Sequence, residues 1–387
     1  MAKKVAILVG TKKGAYIFRS GAARSRWTAE GPLFQGEPVH HLAFDPRDGE
    51  SMFAGCNLTW GGPKIRISRD QGKTWKVGSN PAFRKGKVAT TSVFDAGADF
   101  PHEVTEELAF KRTWHIEPGH ASQPKVMWLG VEPAALFKSE DRGETWKEVE
   151  GLTDHPTRPK WSPGGGGLTL HSIALDAKDT KRMHVGMSGV GVFETLDGGK
   201  TWSPRNQGIP APFNPDKDDP IGQCCHHLVA HPVEPRVLFQ QNHFAPAWLV
   251  GDGEANWRNV SEGLPEASMQ GSKDTAYGFA AAIHPHDAET AYVVPLAAKD
   301  RLAPLPGIAV HGTRDRGKTW KRLANGLPKA RAEVMREGLA TDRLDPVGIY
   351  FGTQAGEVWG SADEGKTWER IAQYLPPVMS VSAATIG

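Results

Sequence analysis

One eight-residue pattern recurs five times along this chain: a small hydroxyl residue, any residue, Asp, any residue, Gly, any residue, Thr, Trp. The first copy is Ser68-Arg-Asp70-Gln-Gly72-Lys-Thr74-Trp75, and the others occupy 139–146, 195–202, 313–320 and 361–368. A degenerate sixth copy runs from Asp252 to Trp257, and a seventh keeps little more than Trp27 after Phe18 and Ser20. Successive Trp residues at 27, 75, 146, 202, 257, 320 and 368 are 48, 71, 56, 55, 63 and 48 residues apart. A period of roughly 40–50 residues plus insertions is the length of one four-stranded propeller blade.

The pattern has the chemistry of a β-hairpin. An Asp side chain accepts backbone N–H bonds across a turn. Gly two residues later supplies a left-handed backbone position. Thr and Trp begin the returning strand, and the indole is expected to fill the gap between repeats. Alternating segments such as Ile65-Arg66-Ile67 precede each hairpin, as a half-buried strand requires. Other strands end in an acidic or His residue, as in Leu42-Ala-Phe-Asp45, Ile173-Ala-Leu-Asp176, Leu228-Val-Ala-His231 and Ala281-Ala-Ile-His284. Val5 to Val9 has the character of a second strand, and Val378 to Ile386 that of an inner strand. Together the two ends complete one blade and remove exposed sheet edges. The expected fold is therefore all-β: one seven-bladed propeller of four-stranded blades spanning 1–387.

These residues resemble the BNR, or Asp-box, family of β-propellers. It includes sialidases, some xyloglucan-active glycosidases, sortilin-type receptors and photosystem II assembly-factor propellers. The resemblance covers nearly the whole chain and implies a glycosyl hydrolase-like propeller. It also implies that the Asp boxes lie on the blade periphery, away from any active site, with a structural role; because family members do unrelated jobs, the likeness is specific for fold and weak for function. The sialidase Arg-Ile-Pro motif is absent, since Arg66-Ile67 is followed by Ser68, and none of the five Tyr stands at an evident nucleophile position. Both facts argue against sialidase activity. A glycosidase with two facing carboxylates would draw on Asp95, Asp99, Glu103, Glu132, Asp154 or Glu337, among which no pair stands out.

Strand direction sorts the loops. Asp-box turns share one face with the turns after the inner strands. The long insertions at 76–111, 147–170, 203–225, 258–278 and 321–337 share the other, the top, where binding usually resides. Counting back five residues from each inner-strand end (Asp45, Glu117, Asp176, His231, His284 and Asp342) gives His40, Arg112, His171, His226, Phe279 and Glu337. This ring implies a divalent transition metal, Zn, Fe or Cu, held by His40, His171 and His226 with His243 or Glu337. The alternative is that these His residues cap strands or bond a polar ligand. Glu337, Glu132 and Arg112 are the catalytic candidates, and His41, Asn57, Trp60, His227 and Asn242 the ligand-binding ones. Cys224-Cys225-His226-His227 is dense in donors, but neighbours in a strand face opposite ways. Ser162-Pro-Gly-Gly-Gly-Gly lacks the Lys and Ser/Thr of a phosphate loop and is a flexible top-face loop with the makings of a lid.

Composition excludes several partners. The net charge is +2 with no basic stripe, which speaks against nucleic acid. No window approaches the ~18 apolar residues of a membrane span. Three Cys, an odd number in a long chain, point to a reducing cytoplasm. Two readings stay open: an enzyme acting on a small polar or glycan-like molecule, and a non-catalytic propeller that binds a ligand or protein.

Overall fold

The computed structural model describes residues 3–58, 61–92, 102–211, 214, 216, 218–250, 256–266 and 276–386. Seven four-stranded antiparallel sheets form the blades of a propeller. Six are built in chain order from inner strands Val39–Phe44, Arg112–Pro118, Leu170–Leu175, Cys225–Ala230, Gly278–Ile283 and Leu339–Thr341. The seventh joins the chain ends: Val378–Ile386 is its inner strand and pairs with Lys4–Thr11, followed by Gly14–Gly21 and Thr28–Leu33. Inner strands of neighbouring blades lie against one another around the ring. An extra two-stranded ribbon, Lys87–Ser92 with His102–Glu107, arises from the 76–111 insertion.

The eight-residue hairpins share one hydrogen-bond set. In the first, Ser68 Oγ accepts from Gly72 N (2.8 Å) and Asp70 Oδ1 from Thr74 N (2.9 Å), while Thr74 Oγ1 donates to Asp70 Oδ2 (2.6 Å). The same bonds recur around Asp141, Asp197, Asp315 and Asp363. Gly72 is left-handed at φ +89, and so is Gln71 before it at φ 59. Gln71 N donates to Glu50 O and Arg142 N to Lys125 O, which fixes the hairpins on the face of the inner-strand ends, as expected. The Trp residues bridge blades. Trp75 meets Phe34 edge-on at 5.0 Å, and Trp320 Nε1 donates to Val260 O of the preceding blade (2.7 Å).

Close approach at the hub depends on glycine. Gly55 pairs with His41 and Gly130 with His115 in their own blades. A Cβ on Gly130 would stand 2.5 Å from Leu170 O of the next blade, and one on Gly55 2.5 Å from Thr113 Cβ. Gly10, Gly186 and Gly352 press against the following inner strand in the same way. The ring is also tied at its periphery. Arg24, beyond the third strand of the closing blade, is buried and pairs with Asp342 (3.1 Å) at the end of the neighbouring inner strand.

Candidate functional site

Most inner strands start irregularly. Register shifts fall between Val39 and His41, Thr113 and His115, Leu170 and Ser172, Cys225 and His227, and Gly278 and Ala281. The extra residue in the first four is His40, Trp114, His171 and His226. A bulge puts two residues opposite one and switches which side chains share a face.

The structure therefore does not gather His40, His171 and His226 as a metal triad, and the expectation is corrected. His171 is wholly buried and spends both nitrogens internally, on Ser172 Oγ (3.0 Å) and Cys225 O (3.0 Å). Nδ1 of His226 bonds Gly278 O (2.6 Å), and the ring packs on Phe279. His40 packs on Trp114. Burial and the Arg112 charge lower it to about 3. Burial and the Arg336 charge also hold His171 and His226 well below the usual imidazole range, so all three are neutral.

The residues that do converge come mostly one position later. Glu337 Oε1 lies 3.0 Å from His115 Nδ1, and Oε2 lies 3.3 Å from His41 Nδ1. The two imidazoles are 4.5 Å apart between ring centres. One donor atom from each of His41, His115 and Glu337 fits within 4.8 Å. His227 stands close enough to feel both Glu337 and His115, while burial keeps it neutral. Nε2 of His115 bonds Glu117 Oε2 (3.1 Å). Burial alone would lower this imidazole, but the carboxylates on its two nitrogens outweigh it and push it up to about 10. Burial works to raise Glu337, yet His115 and His41 hold it well below the usual carboxylate range.

Sequence reasoning missed His115 because Glu117 is not the end of its strand. Gly119 N bonds Val126 O as Asp45 N bonds Ser51 O, so the strand ends two residues later. Counting from Gly119 gives Trp114 in place of Arg112, with His115 beside it. Arg112 instead faces Glu132 (3.6 Å) and the Trp114 ring (5.6 Å). Glu132 accepts from Trp114 Nε1 (3.2 Å). Asn242 is buried, and its Oδ1 accepts from Phe244 N (3.3 Å), a structural role. Asn57 is half-buried, with its backbone bonded to Pro38 O (2.9 Å). Trp60 lies outside the described residues, as do Asp95 and Asp99.

A second donor group, Cys224, His226 and His243, lies in the same mouth. His243 Nδ1 is 3.3 Å from His226 Nε2, and burial with the Arg301 charge lowers His243 to about 4. Burial pushes the Cys224 thiol up. Arg336 acts on Cys224 and His226, and Arg301 on His226 and His243, so their charges oppose a cation there. Elsewhere, a cavity of about 110 Å³ sits beside Arg24, Trp27 and Tyr350, where Arg24 and Tyr350 are both tied to Asp342.

No family model matches the chain. It is 27% identical over 224 residues, 52% of its length, to the protein named probable oligoxyloglucan-reducing end-specific xyloglucanase of Neosartorya fischeri. Over 311 residues it is 22% identical to a xyloglucanase of Paenibacillus sp. The chain spans about a quarter of each, 26% in both cases. Among solved structures, the GH74 xyloglucanase of Xanthomonas campestris matches 98% of this chain and 52% of its own length, at TM-score 0.62 and 17% identity. AztD of Citrobacter koseri matches end to end at TM-score 0.52 and 9% identity, a likeness of fold alone. In fold, then, the chain is a seven-bladed β-propeller similar to those of glycosyl hydrolase-like xyloglucanases.

Proposed function

We propose that this chain is a glycosyl hydrolase-like propeller whose working site is the top mouth of its channel, where His41, His115 and Glu337 hold one divalent transition metal and a sugar-like ligand is presented to it. The convergence of two imidazoles and one carboxylate from three inner-strand starts within 4.8 Å carries this reading. The donor set is one that suits Zn or Fe, borderline nitrogen ligands plus one carboxylate with open positions left over, and binding would displace the proton that Glu337 and Glu117 hold on His115. Such an ion supplies Lewis acidity and activation of water. Glu117 orients His115 through Nε2, the outer partner that a ligating imidazole usually has. Trp114, Tyr277 and Phe279 are buried behind the same mouth and form its apolar wall.

The kinship with xyloglucanases makes glycans the first substrates to screen. Xyloglucan oligosaccharides and other plant-wall oligosaccharides should be assayed for release of reducing ends, before and after chelation. Turnover that stops on chelation, returns with one added ion and falls at least about 100-fold in His115→Ala supports the proposal. Turnover indifferent to both treatments contradicts it.

A further inference from the structure

Arg336 precedes Glu337 in sequence and is 7% exposed. Its guanidinium carbon lies 5.2 Å from the Trp114 ring centre and 5.9 Å from that of Phe279. Among the described residues, its Nη1 is buried with no hydrogen-bond partner. An arginine stays charged when buried, and a buried charge without a counterion is costly. The anions nearby do not answer it. Glu337 is hydrogen-bonded to His115 and paired with His41, and burial keeps Cys224 and Cys225 as neutral thiols.

A second guanidinium stands beside it. Arg301 lies 5.6 Å from the same Phe279 ring centre and, among the described residues, pairs with no carboxylate. The glycine turn at 164–167, closed by Gly167 N on Gly164 O (2.9 Å), runs beside both. A Cβ on Gly165 would sit 3.9 Å from Arg301 Nη2, and one on Gly166 3.8 Å from Arg336 Nη2. Two unpaired forks thus meet successive residues of one turn over one aromatic ring.

We infer that the mouth takes a carboxylate-bearing sugar, of the uronic acid class, with its carboxylate on Arg336 and Arg301. Planar guanidinium forks match a carboxylate in bidentate geometry. This deepens the proposed function and rests on it, because the anion would be fixed next to the Glu337 cluster. It also separates this mouth from one shaped for a neutral glycan.

Calorimetric titration tests the inference, with three probes applied separately: trigalacturonic acid, its carboxyl-reduced neutral counterpart, and inorganic phosphate. The uronate should bind at least about tenfold more tightly than the neutral sugar, and Arg336→Met should lose about tenfold or more of that affinity. Arg301 is exposed, so Arg301→Met retains the fold and should show the same loss even if Arg336→Met does not fold. Equal binding of the acidic and neutral sugars overturns the inference and leaves the sugar site standing. Phosphate binding without either sugar, or no binding of any probe, overturns the inference and the glycan reading together. Unchanged uronate affinity in Arg301→Met overturns the role of the arginine pair.

Discussion

Nδ1 of His115 lies 3.0 Å from Oε1 of Glu337, although 222 residues separate them. His41, from a third blade, reaches the other carboxylate oxygen. The cluster therefore exists only when the ring is closed. Whatever loosens closure should loosen the site.

Arg24→Met tests closure. Arg24 donates to Asp342, Pro346 O and Ala362 O, and so ties the terminal blade to its neighbour. Removing one partner of a buried pair leaves the other uncompensated and costs roughly 3 kcal/mol. Urea denaturation should show that loss. A change within about 0.5 kcal/mol would mean that the tie does not carry closure.

Gly130→Ala tests the hub. The new methyl would stand 2.5 Å from a backbone carbonyl, which cannot swing aside as a side chain can. Overpacking of this kind costs about 1–3 kcal/mol. Gly21→Ala meets nothing within 4 Å and should stay within about 0.5 kcal/mol of wild type in the same denaturation series.

Acid should act through the hairpin aspartates. Burial works to raise Asp315, but hydrogen bonds from Thr74, Thr201 and Thr319 favour the ionised form, so Asp70, Asp197 and Asp315 are each lowered from 3.8 to about 2. A carboxyl lowered in the fold contributes stability that is complete above its unfolded value and lost as pH falls through its folded one. Thermal stability should therefore drop between about pH 4 and 2. The triple variant Asp70→Asn, Asp197→Asn, Asp315→Asn should start lower and drop less over that window. Parallel curves would show that these carboxylates do not govern acid unfolding.

The propeller was legible because its signal is local and repeated. Five hairpins, a Trp period and complementary chain ends each point to the same ring. The site was legible only in part, because it depends on register. Bulges at His40 and Trp114 shift convergence onto His41 and His115, and nothing in the chain marks a bulge. The acidic Glu117 resembles a strand end, but Gly119 occupies that position, which hid His115. Glu337 was found because its strand ends where the pattern says, at Asp342.

Metal content is the most direct test of the proposed centre. Protein purified without a metal-affinity tag should be measured by elemental analysis as wild type, His115→Ala, Glu337→Gln and His171→Ala. The proposed geometry predicts near-stoichiometric transition metal in wild type and His171→Ala, and at least about a tenfold loss in the other two. Metal-free wild type after incubation with Zn or Fe, or a loss in His171→Ala with none in His115→Ala, would contradict it.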